Sequence, residues 1–345
     1  MMEPEYMTNE DVRQIEVLLS NLDRDIAGLE PRNEVFNFPN LDDLENQIKA
    51  DYLTKLTPEE RNNIKHTQTI EFPESTYEGD VIGTQRVGLG TIRYKSARVY
   101  FGEWKNDLRH GRGIELYANG NKFSGNFAHG KAEGFGIYTW ENGEKYVGEW
   151  RNGVKEGRGE WIGLNGDRYS GEWRDSKAEG WGKHIWANGD SYEGQWVACV
   201  KHGLGIEKYA VSGEEYKGQF VEGQPNGYGH YSYSNGSHYR GHFKEGQKHG
   251  KGSLKLSSKH TYVGDFANDL KEGRGCFRWN SGNVYLGEFK ADKRHGKGIM
   301  KWTDGSEYKG DWKDGIQHGY GTMSFTDGRE TKKGYFEKNT FVRPA

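Results

Sequence analysis

The sequence predicts an all-β repeat protein, an elongated single antiparallel sheet of about 11 stacked β-hairpins preceded by a short α-helical segment. Three observations support this fold class. A 23-residue repeat runs from Tyr77 to about Phe336, each repeat contains two runs of strand character, and turn dipeptides separate the repeats. A fixed period of this length is typical of one supersecondary unit stacked on copies of itself.

Each repeat opens with an aromatic residue, a glycine and a second large residue at positions i, i+2 and i+4. In a strand these three positions share one face. The first repeat is the weakest, with Tyr77, Gly79 and Val81. The ten later repeats open with these pairs of rings: Tyr100 and Trp104, Phe123 and Phe127, Tyr146 and Trp150, Tyr169 and Trp173, Tyr192 and Trp196, Tyr216 and Phe220, Tyr239 and Phe243, Tyr262 and Phe266, Tyr285 and Phe289, Tyr308 and Trp312.

A Gly-x-Gly pair follows seven residues after each second ring, as at Gly111 and Gly113. A hairpin centred midway between Trp104 and Gly111 puts this pair on the face of the rings, and it puts Glu103 opposite Arg112 on the other face. We expect such charges to form exposed cross-strand pairs. Asn-Gly and Asp-Gly dipeptides between repeats, such as Asn119-Gly120, indicate tight turns.

The ring-bearing face is the predicted partner-binding surface, since rings interleaved with bare glycine backbone offer a long groove for a helix or an extended peptide. The same rings could instead be buried core, and the sequence leaves both possibilities open. The groove residues proposed from the sequence are Tyr100, Trp104, Tyr146, Trp150, Tyr169, Trp173, Tyr192, Trp196, Tyr308 and Trp312.

Two further repeat positions carry ionisable side chains. Histidine or glutamate occupies the position before the first glycine of the Gly-x-Gly pair, as at His110 and Glu133, and copies about 10 Å apart cannot share a metal. We therefore expect a structural role there. Basic residues one position earlier should line a solvated rim, or contact anionic lipid or an acidic protein: Arg86, Arg109, Lys155, Lys201, Lys248, Lys271 and Arg294.

The 76 residues ahead of the repeats carry 17 acidic and 7 basic side chains, a net charge of −10, whereas the rest of the chain carries +7. An apolar seam at helical spacing predicts an amphipathic helix: Val12, Ile15, Leu19, Leu22, Ile26 and Leu29. Thr8 is its expected N-cap and Pro31 follows its end. A second helix is predicted over residues 41–56, and Thr57-Pro58 starts a third. The helices could dock on the chain's own sheet or on a partner.

The pattern Tyr-x-Gly-x-Trp-x-x-Gly-x-x-His-Gly-x-Gly resembles the MORN repeat (membrane occupation and recognition nexus), and Tyr308 to Gly321 match it at every marked position. The resemblance implies a scaffold that binds proteins and does not catalyse, as in ciliary radial-spoke heads and junctional membrane tethers. It also implies a cytoskeletal or ciliary (axonemal) assembly, and the absence of a secretory signal and of a long apolar run predicts a cytoplasmic protein. A peripheral membrane tether for anionic phospholipids, and a regulatory module of an enzyme on another chain, are the alternatives.

The sequence divides into an acidic helical segment (residues 1–76), a repeat domain (77–336) and a C-terminal tail (337–345). Eleven repeats of two strands predict a rod on the order of 100 Å long. Phosphate-binding loops, nucleophile elbows and Cys-x-x-Cys motifs are absent from the sequence, so no cofactor, no metal and no nucleic acid are expected. Cys199 and Cys276 lie three repeats apart, too far for a disulfide.

Overall fold

The computed structural model describes residues 6–29, 47–48 and 63–345. The described residues form helix α1 (Asn9–Ala27) and 25 strands of one antiparallel sheet, while Gln47 and Ile48 are also helical. The chain divides into two compact bodies. Body I comprises Arg32–Val200, and body II comprises Met1–Pro31 with Lys201–Ala345. Most of the second predicted helix and the start of the third lie outside the described residues.

Body I contains twelve strands, each hydrogen-bonded to the next along the chain. A 3-10 turn, Leu164–Gly166, separates the ninth strand from the tenth. The strands are β1 Lys65–Phe72, β2 Ser75–Ile82, β3 Gln85–Tyr94, β4 Val99–Lys105, β5 Leu108–Leu116, β6 Lys122–Ala128, β7 Lys131–Thr139, β8 Lys145–Arg151, β9 Val154–Ile162, β10 Arg168–Arg174, β11 Lys177–Ile185 and β12 Ser191–Val197.

Body II contains α1 and the remaining strands, which again pair in sequence order. Strand β13 begins one residue before this body, at Val200. The strands are β13 Val200–Lys208, β14 Glu215–Val221, β15 Gln224–Ser232, β16 His238–Lys244, β17 Gln247–Lys255, β18 Thr261–Ala267, β19 Leu270–Arg278, β20 Val284–Lys290, β21 Lys293–Lys301, β22 Glu307–Lys313, β23 Ile316–Ser324, β24 Lys332–Glu337 and β25 Thr340–Pro344.

The predicted hairpin register is correct at the glycines and wrong beyond them. Gly102 faces Gly113 as expected, but Trp104 faces Arg109 because β5 bulges between the two pairs. Gly111 has φ +55°, a left-handed conformation that lets the backbone form the bulge. The Glu103 carboxylate, expected beside the Arg112 side chain, accepts a hydrogen bond from the Arg112 backbone N–H at 3.1 Å.

The turns within and between hairpins differ. Two-residue turns join the strands of one repeat, as at Asn106 and Asp107, where both residues have positive φ. The Asn-Gly dipeptides instead form longer turns between repeats: at Asn119-Gly120 the glycine alone has positive φ, and Asn119 Oδ1 accepts from the Asn121 N–H at 3.2 Å. The asparagine thus caps the turn with its side chain, as Asx turns do.

The sheet extends past both boundaries expected from the repeat pattern. Strand β1 starts at Lys65, within the segment expected to be helical, and β25 occupies most of the expected tail. Both terminal strands lack the repeat motif, so periodicity could not reveal them. Each pairs with the outermost strand of the repeats, so that the edge of the sheet lies on a strand outside the repeat pattern.

Candidate functional site: an aromatic face and a docked helix

The first ring of each repeat lies flat across the glycine pair of its own hairpin. Tyr146 is fully buried, and its hydroxyl donates to the Glu149 carbonyl at 3.0 Å. A Cβ atom built on Gly148 would lie 2.5 Å from the Gly159 Cα atom, so only glycine leaves room here for both the ring and the neighbouring strand. The glycines and rings therefore share one face, as the sequence predicted.

The second ring of each repeat fills the space between two first rings. Trp173 makes edge-to-face contacts with Tyr146 and Tyr169, at centroid distances of 5.0 and 5.2 Å. Its indole N–H donates to the Gly159 carbonyl at 3.0 Å. Such contacts continue from ring to ring within each body and form a ladder of aromatic core side chains.

The ten groove residues proposed from the sequence belong to this ladder, and the expectation that they line an exposed groove is corrected. A single-layer sheet has no second layer to bury its apolar groups, so the rings bury one another. Trp150 alone is half-buried. The other nine are buried: Tyr100, Trp104, Tyr146, Tyr169, Trp173, Tyr192, Trp196, Tyr308 and Trp312.

A second set of rings on the same face is only half-buried, and sequence reasoning missed it. These side chains lie two or four positions after the second glycine of each Gly-x-Gly pair. In body I we call them the outer rings: Tyr94, Tyr117, Tyr138, Trp140, Trp161 and Trp186. Tyr138 contacts Trp140 at 4.9 Å and Tyr117 at 5.8 Å, so neighbouring outer rings touch. The recurrence of aromatics after Gly-x-Gly was the signal that could have identified them.

Lys155 brings a positive charge into this surface. Its Nζ atom lies 5.2 Å from the Trp140 centroid, 5.2 Å from that of Tyr146 and 4.7 Å from that of Trp173. Burial lowers the pKa of the Lys155 ammonium. Within the described residues no carboxylate lies at ion-pair distance from it, since Ser176 occupies the position where other repeats carry an aspartate. The ammonium is held by cation–π contacts.

The predicted basic rim is corrected by the same geometry. Arg86 lies 4.5 Å from the Trp104 centroid and Arg294 lies 4.3 Å from the Trp312 centroid, so these cations cover the ring ladder. Several also pair with an acid of the next repeat, as Lys271 does with Asp292 at 2.7 Å. A cation has a more favourable interaction free energy beside a ring and a carboxylate than in water at the edge of the sheet.

The glutamates at the histidine-or-glutamate position have a structural role in the turns. Carboxylates there accept hydrogen bonds from a backbone N–H in the turn of the next repeat: Glu133 from Asn152 at 2.8 Å, and Glu179 from Ala198 at 2.9 Å. These bonds tie consecutive hairpins together outside the strand ladder. Among the described residues, no group of three or more histidine, cysteine or acidic side chains has the geometry to hold a metal ion.

Helix α1 docks on the opposite face of the sheet in body II, which we call the back face. Thr8 caps the helix through a capping box with Asp11. The predicted seam packs against back-face side chains, with Leu19 fully buried and Leu22 half-buried. The apolar cluster also contains Met7, which sequence reasoning missed. Its sheet members are Tyr228, Val263, Cys276 and Leu286.

Polar contacts hold the C-terminal half of α1 on the sheet, and basic residues of the sheet lie near its N-terminal end. Asp23 accepts hydrogen bonds from the Tyr228 hydroxyl and His230, and it pairs with Arg240 at 2.9 Å. Partial burial opposes ionisation of Asp23, but these partners outweigh burial and lower its pKa. Near the N-terminus, hydrogen bonds from Thr8 lower the pKa of Asp11, and the charges of Arg274 and Lys251 contribute.

A family model of the MORN repeat matches ten consecutive segments of the chain between residues 100 and 328. None of the curated proteins compared with the sequence matches it. In the described part of the chain, no helix is both long enough and apolar enough to span a membrane.

Solved structures give only distant similarities. The TCP domain of Drosophila melanogaster SAS-4 (dCPAP), in complex with a proline-rich motif of Ana2 (dSTIL), is 12% identical, and the alignment covers 57% of this chain and 86% of that one with a TM-score of 0.26. The TCP10 domain of Danio rerio CPAP, in complex with a STIL peptide, is 8% identical over 71% and 93% of the two chains, with a TM-score of 0.31. Scores this low carry no functional argument.

Proposed function

The chain belongs to the MORN-repeat family, and on that premise we propose that it is a non-enzymatic scaffold that binds a partner protein through its aromatic face. The outer rings of body I are the proposed contact surface, and an extended segment of the partner is the proposed occupant. A cytoskeletal or ciliary assembly is the proposed setting, which rests on the resemblance to the family alone.

The single observation that carries this proposal is the row of half-buried outer rings above a ladder in which nearly all rings are buried. The core rings are buried against one another in the folded protein, whereas part of the surface of each outer ring is accessible to water. Half-buried Trp and Tyr side chains are favoured interface anchors because they offer a large apolar area at a low cost in side-chain entropy. Lys155 beside Trp140 adds a charge that an acidic residue of the partner could reach.

The spacing of the outer rings favours an extended partner. Copies of one repeat position lie two strands apart, about 10 Å. A polyproline II segment rises about 3.1 Å per residue and advances about 9 Å in each three-residue turn. One turn of such a segment therefore matches one repeat, and every third residue could contact the same ring position. We propose a proline-containing segment with an acidic residue as the partner.

The arrangement of the basic residues does not favour the alternative of a membrane tether. Those side chains lie over rings or pair with acids, so they form no row of free charges for anionic headgroups. No observation favours a regulatory module of an enzyme over a scaffold, because the two would use the same surface.

Peptide selection on the full chain tests the proposed mode of binding. Random peptides displayed on phage are enriched on the wild-type protein, and dissociation constants of the enriched peptides are measured by fluorescence anisotropy. Trp161→Ala should weaken binding about 30-fold, equivalent to about 2 kcal/mol for an interface anchor. Lys155→Met should weaken only the peptides that carry an acidic residue.

Ile162→Ala is the matched control, because Ile162 is 38% exposed and follows Trp161 on the other face of β9. It should leave the dissociation constants unchanged. Enrichment of peptides that are helical in solution would contradict the extended mode. Flotation of the protein with phosphatidylserine vesicles at physiological salt, together with no peptide enrichment, would favour the membrane tether instead.

A further inference from the structure

We propose that the back face of body II is a recognition groove for an acidic amphipathic helix, that α1 occupies this groove in the resting chain, and that a helix of a partner protein binds there by displacing α1. The groove shares no residue with the outer rings. The proposal therefore stands or falls separately from the proposed function.

The floor of the groove is an apolar strip across three neighbouring strands of body II. Cys276 lies opposite Val263 on one neighbouring strand and opposite Leu286 on the other, and all three side chains are buried. A contiguous apolar strip of this kind favours a site that another element covers. Within the described residues, α1 is the element that covers it.

Charges at the two ends of the groove specify the direction and register of the bound helix. Arg240 and His230 face Asp23 at one end, while Lys251 and Arg274 lie near Asp11 at the other. A helix in the opposite direction would meet the apolar strip but lose its charge partners. The groove thus selects an acidic helix whose apolar residues repeat three and four apart.

The groove contains basic side chains that α1 does not pair with, and acidic side chains of a partner could pair with them. A cavity of about 510 Å³ opens beside Glu16, and its lining includes Arg240, Lys255 and Arg278. The lysines that match Lys255 in nearby repeats pair with a glutamate, as Lys301 does with Glu307 at 3.3 Å. Thr261 and Val284 replace that glutamate opposite Lys255 and Arg278.

Within the described residues, neither Lys255 nor Arg278 has a carboxylate at ion-pair distance. A partner helix with further acidic residues would therefore gain contacts that α1 does not make. This difference in charge pairing is the physical reason why such a helix could displace α1.

The residues that bind α1 are remote from it in the sequence. Tyr228 and Arg240 lie more than 200 positions from the helix residues that they contact. The site is therefore filled by a distant segment of the chain and not by a sequence neighbour. A helix of 19 residues is marginal in water without a surface to pack on, so α1 loses most of its order when it leaves the groove.

Two cysteines provide an assay of groove occupancy in the full chain. Cys276 is 1% exposed beneath α1, and burial raises the pKa of its thiol to about 11. Cys199 is exposed in the turn after β12 and serves as the internal reference. In the wild-type chain Cys199 should react rapidly with a disulfide reagent and Cys276 slowly, because only the accessible thiolate attacks.

Leu19→Asp should release α1 and make Cys276 as reactive as Cys199, since a fully buried leucine becomes a charge. The ring ladder lies on the other face of the sheet, so the fold should persist, which circular dichroism checks. Asp23→Ala is a second, milder variant that should raise the Cys276 rate by a smaller factor.

The probe for the groove is a synthetic peptide of residues 6–29 added to the Leu19→Asp chain. We expect the peptide to protect Cys276 again in a saturable manner. An Asp23→Ala peptide should protect Cys276 only at an about tenfold higher concentration, because it lacks the charge-assisted contacts. A Glu10→Ala peptide is the control, since Glu10 is exposed. A Ser20→Glu peptide should protect Cys276 at a lower concentration, because position 20 lies one turn from Glu16.

Two results would overturn the proposal. One is a Cys276 that stays protected in both variants, which would show that α1 does not cover it. The other is a Leu19→Asp chain in which Cys276 stays reactive even when the peptide is present at millimolar concentration. A wild-type chain that sediments as a dimer with exchanged helices would assign the groove to a second copy, which also contradicts a foreign partner.

Discussion

At the residue scale, the fold depends on glycine pairs that let a ring lie on bare backbone. A Cβ atom on Gly171 would lie 2.5 Å from the Gly182 Cα atom and 2.6 Å from the Tyr169 hydroxyl. Neither the neighbouring strand nor the ring can move without disturbing the ladder. The repeat period is therefore visible in the sequence mainly because these positions cannot vary.

Gly171→Val should destabilise body I by about 1–3 kcal/mol, because the added side chain overpacks the space under Tyr169. Chemical denaturation monitored by tryptophan fluorescence measures the change. Ser170→Val is the matched control, since it adds a β-branched side chain to the other face of the same strand, and it should change stability little. Equal loss in both variants would argue against the assignment of the faces.

Tyr146→Phe should cost about 1 kcal/mol of stability, because it removes the hydroxyl that donates to the Glu149 carbonyl. Phe123, which occupies the same position, shows that the ring alone can fill the site. The reciprocal change, Phe123→Tyr, adds a hydroxyl at the equivalent position of another repeat and should increase stability by part of this amount. Thermal unfolding of the two variants tests the pair, and a stable Tyr146→Phe chain would mean that water replaces the lost donor.

The residue-scale features that the sequence could predict follow from strict positions within the repeat. The faces, the glycine pairing and the turn role of Glu133 and Glu179 were all visible as recurrences. The bulge at Gly111 was not visible, because a Gly-x-Gly pair in a flat strand and one in a bulged strand look alike. The sequence also left undecided whether Trp173 is buried, because spacing identifies the face on which a ring lies but not what covers the ring.

At the scale of elements, α1 is held to the back face by apolar packing and by carboxylates with lowered pKa values. The apolar seam predicted a helix and a docking face, but not the strands that receive it. That information lies in the combination of side chains that several strands bring together, such as Tyr228 and Cys276, and not in any one repeat position. Contacts over more than 200 positions cannot be obtained from local spacing.

Docking of α1 should weaken as the solution becomes acidic. The Asp23 pKa is lowered in the docked state, by contacts with Tyr228, His230 and Arg240 that outweigh burial, and the Asp11 pKa is lowered as well. A carboxylate whose pKa is lower in the docked state than in the released state stabilises docking at pH values above 3.8, the ordinary pKa of an aspartate. This stabilisation is lost as the pH falls through the lower pKa of the docked state. The reactivity of Cys276 toward an aromatic disulfide, measured relative to that of Cys199, should therefore rise between about pH 5 and about pH 2.

Asp23→Asn is the control for this pH dependence, because the amide keeps the shape and loses the titration. Its Cys276 reactivity should be higher at the upper pH and should change less on acidification. A wild-type reactivity that is constant through this range would show that the carboxylates do not hold the helix.

At the scale of the whole molecule, the proposed protein-binding surface and the proposed helix groove use different residues of one chain. Folding uses the core ladder, and the outer rings and the back face of body II are the surfaces that we propose for recognition. Repeat architecture allows this division because each hairpin is stabilised by its neighbours, so single positions can diverge where partners bind. The sequence showed the repeats clearly and the recognition residues poorly, since recognition depends on small departures from the repeat.

Proximity labelling in the native cell tests the central claim, that the outer rings recruit a protein partner, most directly. The full chain, fused to a labelling enzyme, is compared with a Trp140→Ala/Trp161→Ala variant and with Ile162→Ala as the matched control. We predict a defined set of labelled proteins for the wild-type chain and the control, and loss of the principal members in the double variant with folding intact. The same set in all three chains would contradict the account.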